Sequence, residues 1–122
     1  MPIVSIQNIT QPLPEPIRAE YCNTFFGRLR GRMFTRPIEP FRGLLMVQHH
    51  DDRLEASIHM FFVNYDLGVI WLNDRLEVVD TVVACAWRPF YAPCSPARYV
   101  LETHPQHLPA FKKGQKVSLT HV

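Results

Sequence analysis

The chemistry this chain could perform begins with His59, set in Ser57-Ile58-His59-Met60-Phe61. An imidazole titrates near neutral pH, so it could orient a ligand or take a proton. Asp66 and Asp80 are the carboxylates that could join it in an enzymatic or sugar-binding cleft. Glu55 precedes His59 by four residues and shares its face of an extended strand only at long range. A hydrogen-bonded structural histidine is the favoured reading. His104 and His107 form a possible two-ligand element, with His49, His50 and His121 elsewhere. Zinc needs three or four converging ligands and no second spaced pair is evident, so no metal is expected. Ser95 lies in Pro93-Cys94-Ser95-Pro96, a rigid turn rather than a nucleophile elbow, and Cys94 has no base supplied by any motif. The five glycines are scattered and make no phosphate loop, so no cofactor is expected.

A second chemical signal is basic. Arg18, Arg28, Arg30, Arg32, Arg36 and Arg42 face only Glu20 and Glu39 in the same segment. Arg28 and Arg32 stand one helical turn apart and could grip phosphate. The net charge is only +2, however, and no nucleic-acid module is recognisable. The segment reads as a solvated face, with weak nucleic-acid binding as an alternative. Among the aromatics Phe61, Phe62, Tyr65, Trp71, Trp87, Phe90 and Tyr91, most should be core. Phe90 and Tyr91 sit in a proline-bounded loop and are the ligand-contact candidates.

These residues must be positioned by one domain, which 122 residues with 47% hydrophobic content can support. The N-terminus lacks a basic, then apolar, signal pattern, and no apolar run is long enough to span a membrane. With three cysteines and no C-x-x-C pair, free and mostly buried thiols and a cytoplasmic location are expected. Residues 1–17 read as a short strand, Ile3 to Ile6, and an arm stiffened by Pro12, Pro14 and Pro16; residues 18–122 form the domain proper. A helix is expected from Asn23 to Phe34, with Phe26, Leu29 and Met33 on one face. Strands follow at Gly43–Gln48, Ala56–Val63, Gly68–Leu72, Leu76–Trp87, Arg98–Glu102 and Lys116–Thr120; the broken alternation of Leu76–Trp87 asks for burial on both faces or a bulge near Asp80-Thr81. Pro105 and Pro109 frame a short turn or helix. The fold class is mainly β, a small sandwich or barrel with one short helix packed on it.

The ordered motifs Gly31-Arg32-Met33, Gly43-Leu44-Leu45, Ile58-His59-Met60-Phe61-Phe62, Val69-Ile70-Trp71-Leu72-Asn73, Pro89, Ala97-Arg98-Tyr99-Val100-Leu101-Glu102 and Gly114 resemble the family known as domain of unknown function 192. The resemblance covers roughly residues 20 to 120 and implies a compact, jelly-roll-like β fold without an established activity. It also marks Gly31, Met33, Pro89, Ala97 and Gly114 as structural positions. Two departures stand out. Arg32 occupies a place that is usually apolar, and Gly68 occupies one that usually carries a carboxylate, with Asp66 two residues earlier. The expected function is a non-catalytic module binding an unknown ligand or protein partner through the Trp87–Pro96 loop and the helix-end arginines. Gly31 should be required either for a positive φ at the helix end or for close backbone contact.

Overall fold

The computed structural model describes residues 2–122; the side chains at positions 25 and 26 lie outside the described set, and with them the contribution expected of Phe26 to a helix face. The chain is mainly β, as its Val- and Ile-rich segments require. Strands β1 (Ile3–Asn8), β2 (Ile17–Cys22), β3 (Arg42–Asp52), β4 (Leu67–Leu72), β5 (Val78–Ala84), β6 (Ala97–Thr103) and β7 (Val117–His121) form one sheet in the order β5-β4-β6-β3-β2-β1-β7. All neighbours are antiparallel except β2 and β3. The sheet curls until its edges meet at one end, where Glu77 bridges Lys116 and the Val78 amide donates to the Gln115 carbonyl at 2.9 Å. This gives a barrel-like closure that hides backbone groups an open edge would leave unpaired.

Side chains alternate across the strands and bury both faces of the sheet. The concave face gathers Val4, Ile6, Ile17, Leu45, Ile70, Leu72, Leu101 and Val117. Leu44, Met46, Val69, Trp71 and Val100 project from the other face. That face is covered by Ala56, Ile58, Met60 and Val63, all buried, from a segment that is not a strand. The spacing of these apolar residues imitates strand alternation, which is why a strand over 56–63 was expected. The segment's backbone pairs partly with itself, Ser57 N–H donating to Leu54 and Val63 N–H to Met60, and partly with the 87–91 loop, Met60 N–H donating to Arg88 and Trp87 N–H to Met60. Its ladder contact is one bridge from Ile58 to Tyr91, and Trp71 Nε1 ties it down by donating to the Ala56 carbonyl at 2.7 Å.

The helix is also shorter than its sequence pattern implies. Helix α1 spans Phe25–Arg30, capped by Thr24, whose hydroxyl accepts from the Gly27 amide at 3.1 Å. Gly31, at φ 49° and ψ −125°, ends it, and turns follow to position 34. Leu29 consequently points outward and is exposed. Other differences concern the N-terminal region and the thiols. The strand expected at Ile3 to Ile6 is present as β1, two residues longer and built into the sheet between β2 and β7. β2 was not legible behind the prolines. Of the three thiols only Cys22 is buried; Cys85 is exposed because β5 ends at Ala84, short of the strand expected to enclose it, and Cys94 is exposed in the proline-bounded loop. The expected irregularity near Asp80 is present as a register shift: Trp71 pairs with Asp80 but Leu72 with Val78. The Pro105–Ala110 segment is a 3₁₀ helix. Among the described residues no helix is long and apolar enough to cross a membrane.

Candidate functional site

On the covered face of the sheet β6 places Glu102 between Leu44 of β3 and Val69 of β4, its cross-strand neighbours. Strand alternation puts it on the side of Val100, so a carboxyl projects where its neighbours are apolar. Glu102 is 2% exposed, and its Oε1 has no hydrogen-bond partner among the described residues. Burial pushes its pKa up to about 7, opposed by the positive charge of Arg32. A buried polar atom without a partner costs about 1–3 kcal/mol, more if charged, so its retention asks for an explanation.

Glu102 is part of the wall of a cavity of about 230 Å³ whose other walls come from the α1 end, β3 and the Leu54–His59 loop. Gly31 closes one side: a Cβ there would lie 3.7 and 3.9 Å from the two Glu102 oxygens. Of the two reasons weighed for a glycine, the backbone angle dominates, since such distances are ordinary contact while φ +49° is strained for any side chain. His59 fixes the mouth. One ring nitrogen, Nε2, lies 2.9 Å from the Leu29 carbonyl, and Nδ1 accepts from the Phe61 amide at 3.2 Å, so the ring donates from Nε2. Nε2 thus holds α1 against the loop, while the Nδ1 bond fixes the ring within its own segment. Gln48, buried in the same wall, donates to the Glu55 carbonyl.

The remaining candidates are dispersed. Asp66 lines a different, smaller cavity beside Tyr65 and His104, and its Oδ1 accepts from the Ala86 amide at 2.9 Å. The fold thus does not bring His59 and Asp66 together. Gly68 is glycine because the 3₁₀ helix lies on it: a Cβ would come within 3.1 Å of the His104 carbonyl and the Pro105 Cα. Asp80 accepts from the Thr81 and Cys94 amides and anchors that loop. Phe90 is exposed, whereas Tyr91 is half-buried with its hydroxyl accepting from the Cys85 amide at 2.8 Å. Pro89 is exposed in the same loop, Ala97 is fully buried opposite Asp52, Met33 is half-buried, and Gly114 turns the chain at φ +87° before β7.

The arginines divide between two places. Arg28 donates to the Asn23 and Val47 carbonyls and, with Arg30, lines the Glu102 cavity. Arg32 donates to the Tyr65 hydroxyl and the Arg36 carbonyl; these two, with Arg18 and Arg42, line a separate groove of about 440 Å³. His104 and His107 face each other with ring centroids 6.4 Å apart. Their Nδ1 and Nε2 atoms, respectively, accept from the Gln106 and Phe41 amides. Among the described residues no three His, Cys, Asp or Glu side chains converge as a metal set.

Glu102 is the residue that sequence reasoning missed as a site. Its signal was present: in Val100-Leu101-Glu102 a strand face that should be apolar ends in a carboxyl, and buried glutamates are rare without a purpose.

Comparison with known proteins places this geometry in a family. The model of the family DUF192, described as "Uncharacterized ACR", matches residues 6–119. A UPF0127 protein of Thermococcus sibiricus is 42% identical over 86 residues, covering 70% of this chain and 54% of that protein. The chain thus spans about half the length of that relative. The UPF0127 protein PF1050 of Pyrococcus furiosus is 36% identical, with 78% of each chain covered. Among solved structures, a chain from Sinorhizobium meliloti 1021 superposes with a TM-score of 0.81 at 15% identity, over 96% of this chain and 92% of its own. A protein of unknown function from Novosphingobium aromaticivorans does so with a TM-score of 0.78 at 18% identity, over 95% and 83%. At such identities the likeness extends to the fold alone, while the family match rests on nearly the whole sequence. This chain, with its buried Glu102 beneath the helix end, belongs to the DUF192 family.

Proposed function

We propose that the domain is a non-catalytic binding module and that its ligand is a small molecule seated on Glu102 in the cavity under α1. The observation that carries this reading is the unpartnered, buried Oε1. A ligand N–H or O–H donor placed there supplies the missing hydrogen bond, and a charge-assisted bond of that kind is worth about 1.5–3 kcal/mol. The walls support binding over chemistry, because His59 commits both ring nitrogens to backbone groups. One observation favours a second reading, an enzyme centred on Glu102 rather than on His59 and Asp66. A carboxyl held near neutrality is suited to general acid–base work.

A thermal-shift screen of primary amines, α-amino acids and polyols against wild type and Glu102→Gln tests the proposal. A binding compound should raise the wild-type midpoint and bind the variant about tenfold or more weakly. Carbon-detected NMR of the Glu102 carboxyl should show a midpoint near 7 that a bound donor moves down. A carboxyl that titrates like an exposed glutamate would sink the proposal, and turnover of a bound compound would select the enzymatic reading.

A further inference from the structure

A surface independent of the Glu102 cavity carries its own signature. The described residues include five non-glycine positions at positive φ, and three of them, Phe34, Phe62 and Trp87, meet at one place. Their φ angles are 60°, 61° and 66°. Phe34 stacks on Phe62 with centroids 4.7 Å apart at 26°, and Trp87 meets Phe62 edge-on at 5.0 Å. Backbone bonds lock the arrangement: Phe34 N–H donates to the Phe62 carbonyl at 2.9 Å and Trp87 N–H to Met60 at 3.0 Å. The indole is fixed by its own bond to Asn64 Oδ1 at 2.8 Å.

Bulky residues in the left-handed region are strained. Core burial does not offset that strain here, for Phe34, Phe62 and Trp87 are 72%, 42% and 47% exposed. Three loops therefore accept strain in order to hold aromatic rings toward solvent. Phe34 gives one face to Phe62, and its high exposure leaves the other open to continue the stack. In the chain Phe34 lies between Arg32 and Arg36, which are joined by the Arg32 Nη2 bond to the Arg36 carbonyl at 2.9 Å. Both arginines line the groove that also holds Arg18 and Arg42, opposed by Glu20 and Glu39. The 32–36 turn thus belongs at once to an aromatic stack and to a cationic groove.

We propose that this surface binds single-stranded nucleic acid, with a base stacked on the open face of Phe34 and phosphates along the Arg32–Arg36 groove. Aromatic platforms beside a cationic track are how unpaired strands are held, because every base offers a π face and every nucleotide a phosphate. Duplexes keep their bases stacked on one another and leave such a ring nothing to receive. A neutral sugar uses the ring but gains little from the guanidinium groups.

Fluorescence anisotropy with a labelled oligothymidylate or oligouridylate of roughly fifteen nucleotides at low salt tests this. Saturable binding should quench Trp87 emission, and a duplex of equal length should bind about tenfold more weakly. Phe34→Gly, which accepts the local φ and so keeps the fold, should weaken strand binding about tenfold. Arg36→Gln should lower the slope of log affinity against log salt by about 0.7. The proposal is overturned by absence of binding at low salt, or by strand and duplex binding equally with no effect of Phe34→Gly. It is equally overturned if Phe34→Gly abolishes self-association or maltoheptaose binding while leaving the oligonucleotide untouched.

Discussion

Asn8 and Glu102 are both buried polar residues on strands of one sheet, and they face opposite sides of it. Asn8, fully buried on the concave side, uses all four of its hydrogen-bonding positions. Nδ2 donates to the Ala110 carbonyl and to Gln115 Oε1, each at 2.8 Å, and Oδ1 accepts from the Thr10 and Gln11 amides. It clamps the turn after β1 to the segment that leads into β7. Glu102 is as deeply buried, yet its Oε1 has no such partner among the described residues. Each also has a positive-φ glycine nearby: Gly114 beside Gln115, and Gly31 over the Glu102 carboxyl. The difference teaches what burial alone does not. A satisfied polar residue holds the fold together, while an unsatisfied one beside a cavity is retained at a cost to stability.

The largest effect should come from breaking the satisfied side. Asn8→Ala strands the Thr10 and Gln11 amides and the Ala110 carbonyl at once, while Gln115 Oε1 keeps the Lys112 N–H at 2.9 Å, so urea denaturation should show a loss of roughly 3 kcal/mol. A loss below about 1 kcal/mol would mean that water replaces the clamp and that the contrast with Glu102 is overstated.

On the unsatisfied side the sign reverses. Folded Glu102 keeps its proton up to about pH 7, whereas the ordinary value is 4.5. Between those limits the folded state binds more protons than the unfolded one. Its contribution to stability should therefore fall as pH rises through the window, by roughly 3 kcal/mol, and level off above it. Glu102→Gln should flatten this limb and be the more stable protein at pH 8, by about 2 kcal/mol. A wild type and variant with parallel pH profiles would remove the distinction between the two residues.

The smallest effect separates the glycines. A Cβ on Gly114 meets nothing within 4 Å, so Gly114→Asn should cost under about 1 kcal/mol. Gly31 at ψ −125° lies outside the left-handed helical region that asparagine tolerates. Gly31→Asn should therefore cost about 2 kcal/mol and fail to stand in for glycine. Equal losses in chemical denaturation would show that the cavity-side turn is no more demanding than the turn before β7.

How much of this was legible beforehand differs by element. β4 and β5 were readable from their Val- and Ile-rich runs, and β6 and β7 from the prolines and the glycine that precede them, because those signals are local. The 3₁₀ helix was framed by its prolines for the same reason. β2 was not readable: Ile17-Arg18-Ala19-Glu20 alternates over too few residues, and its strand state is fixed by pairing with β1 and, in parallel, β3. The 56–63 segment misled because Ala56, Ile58 and Met60 are spaced for a strand but bury themselves as a cover over one.

The mainly β class, the family and the run of arginines were all written in the sequence, as properties of residue type and short-range order. Only the tertiary structure decided that His59 is spent on backbone bonds, that Asp66 lies in another cavity, and that Glu102 carries a buried oxygen without a partner among the described residues. It also divided the arginines between two surfaces. The reason is that satisfaction and burial are properties of contacts between residues far apart in the chain. Glu102 is enclosed by β3, β4 and a helix end more than 70 residues before it, and no local pattern records what that enclosure leaves unpaired.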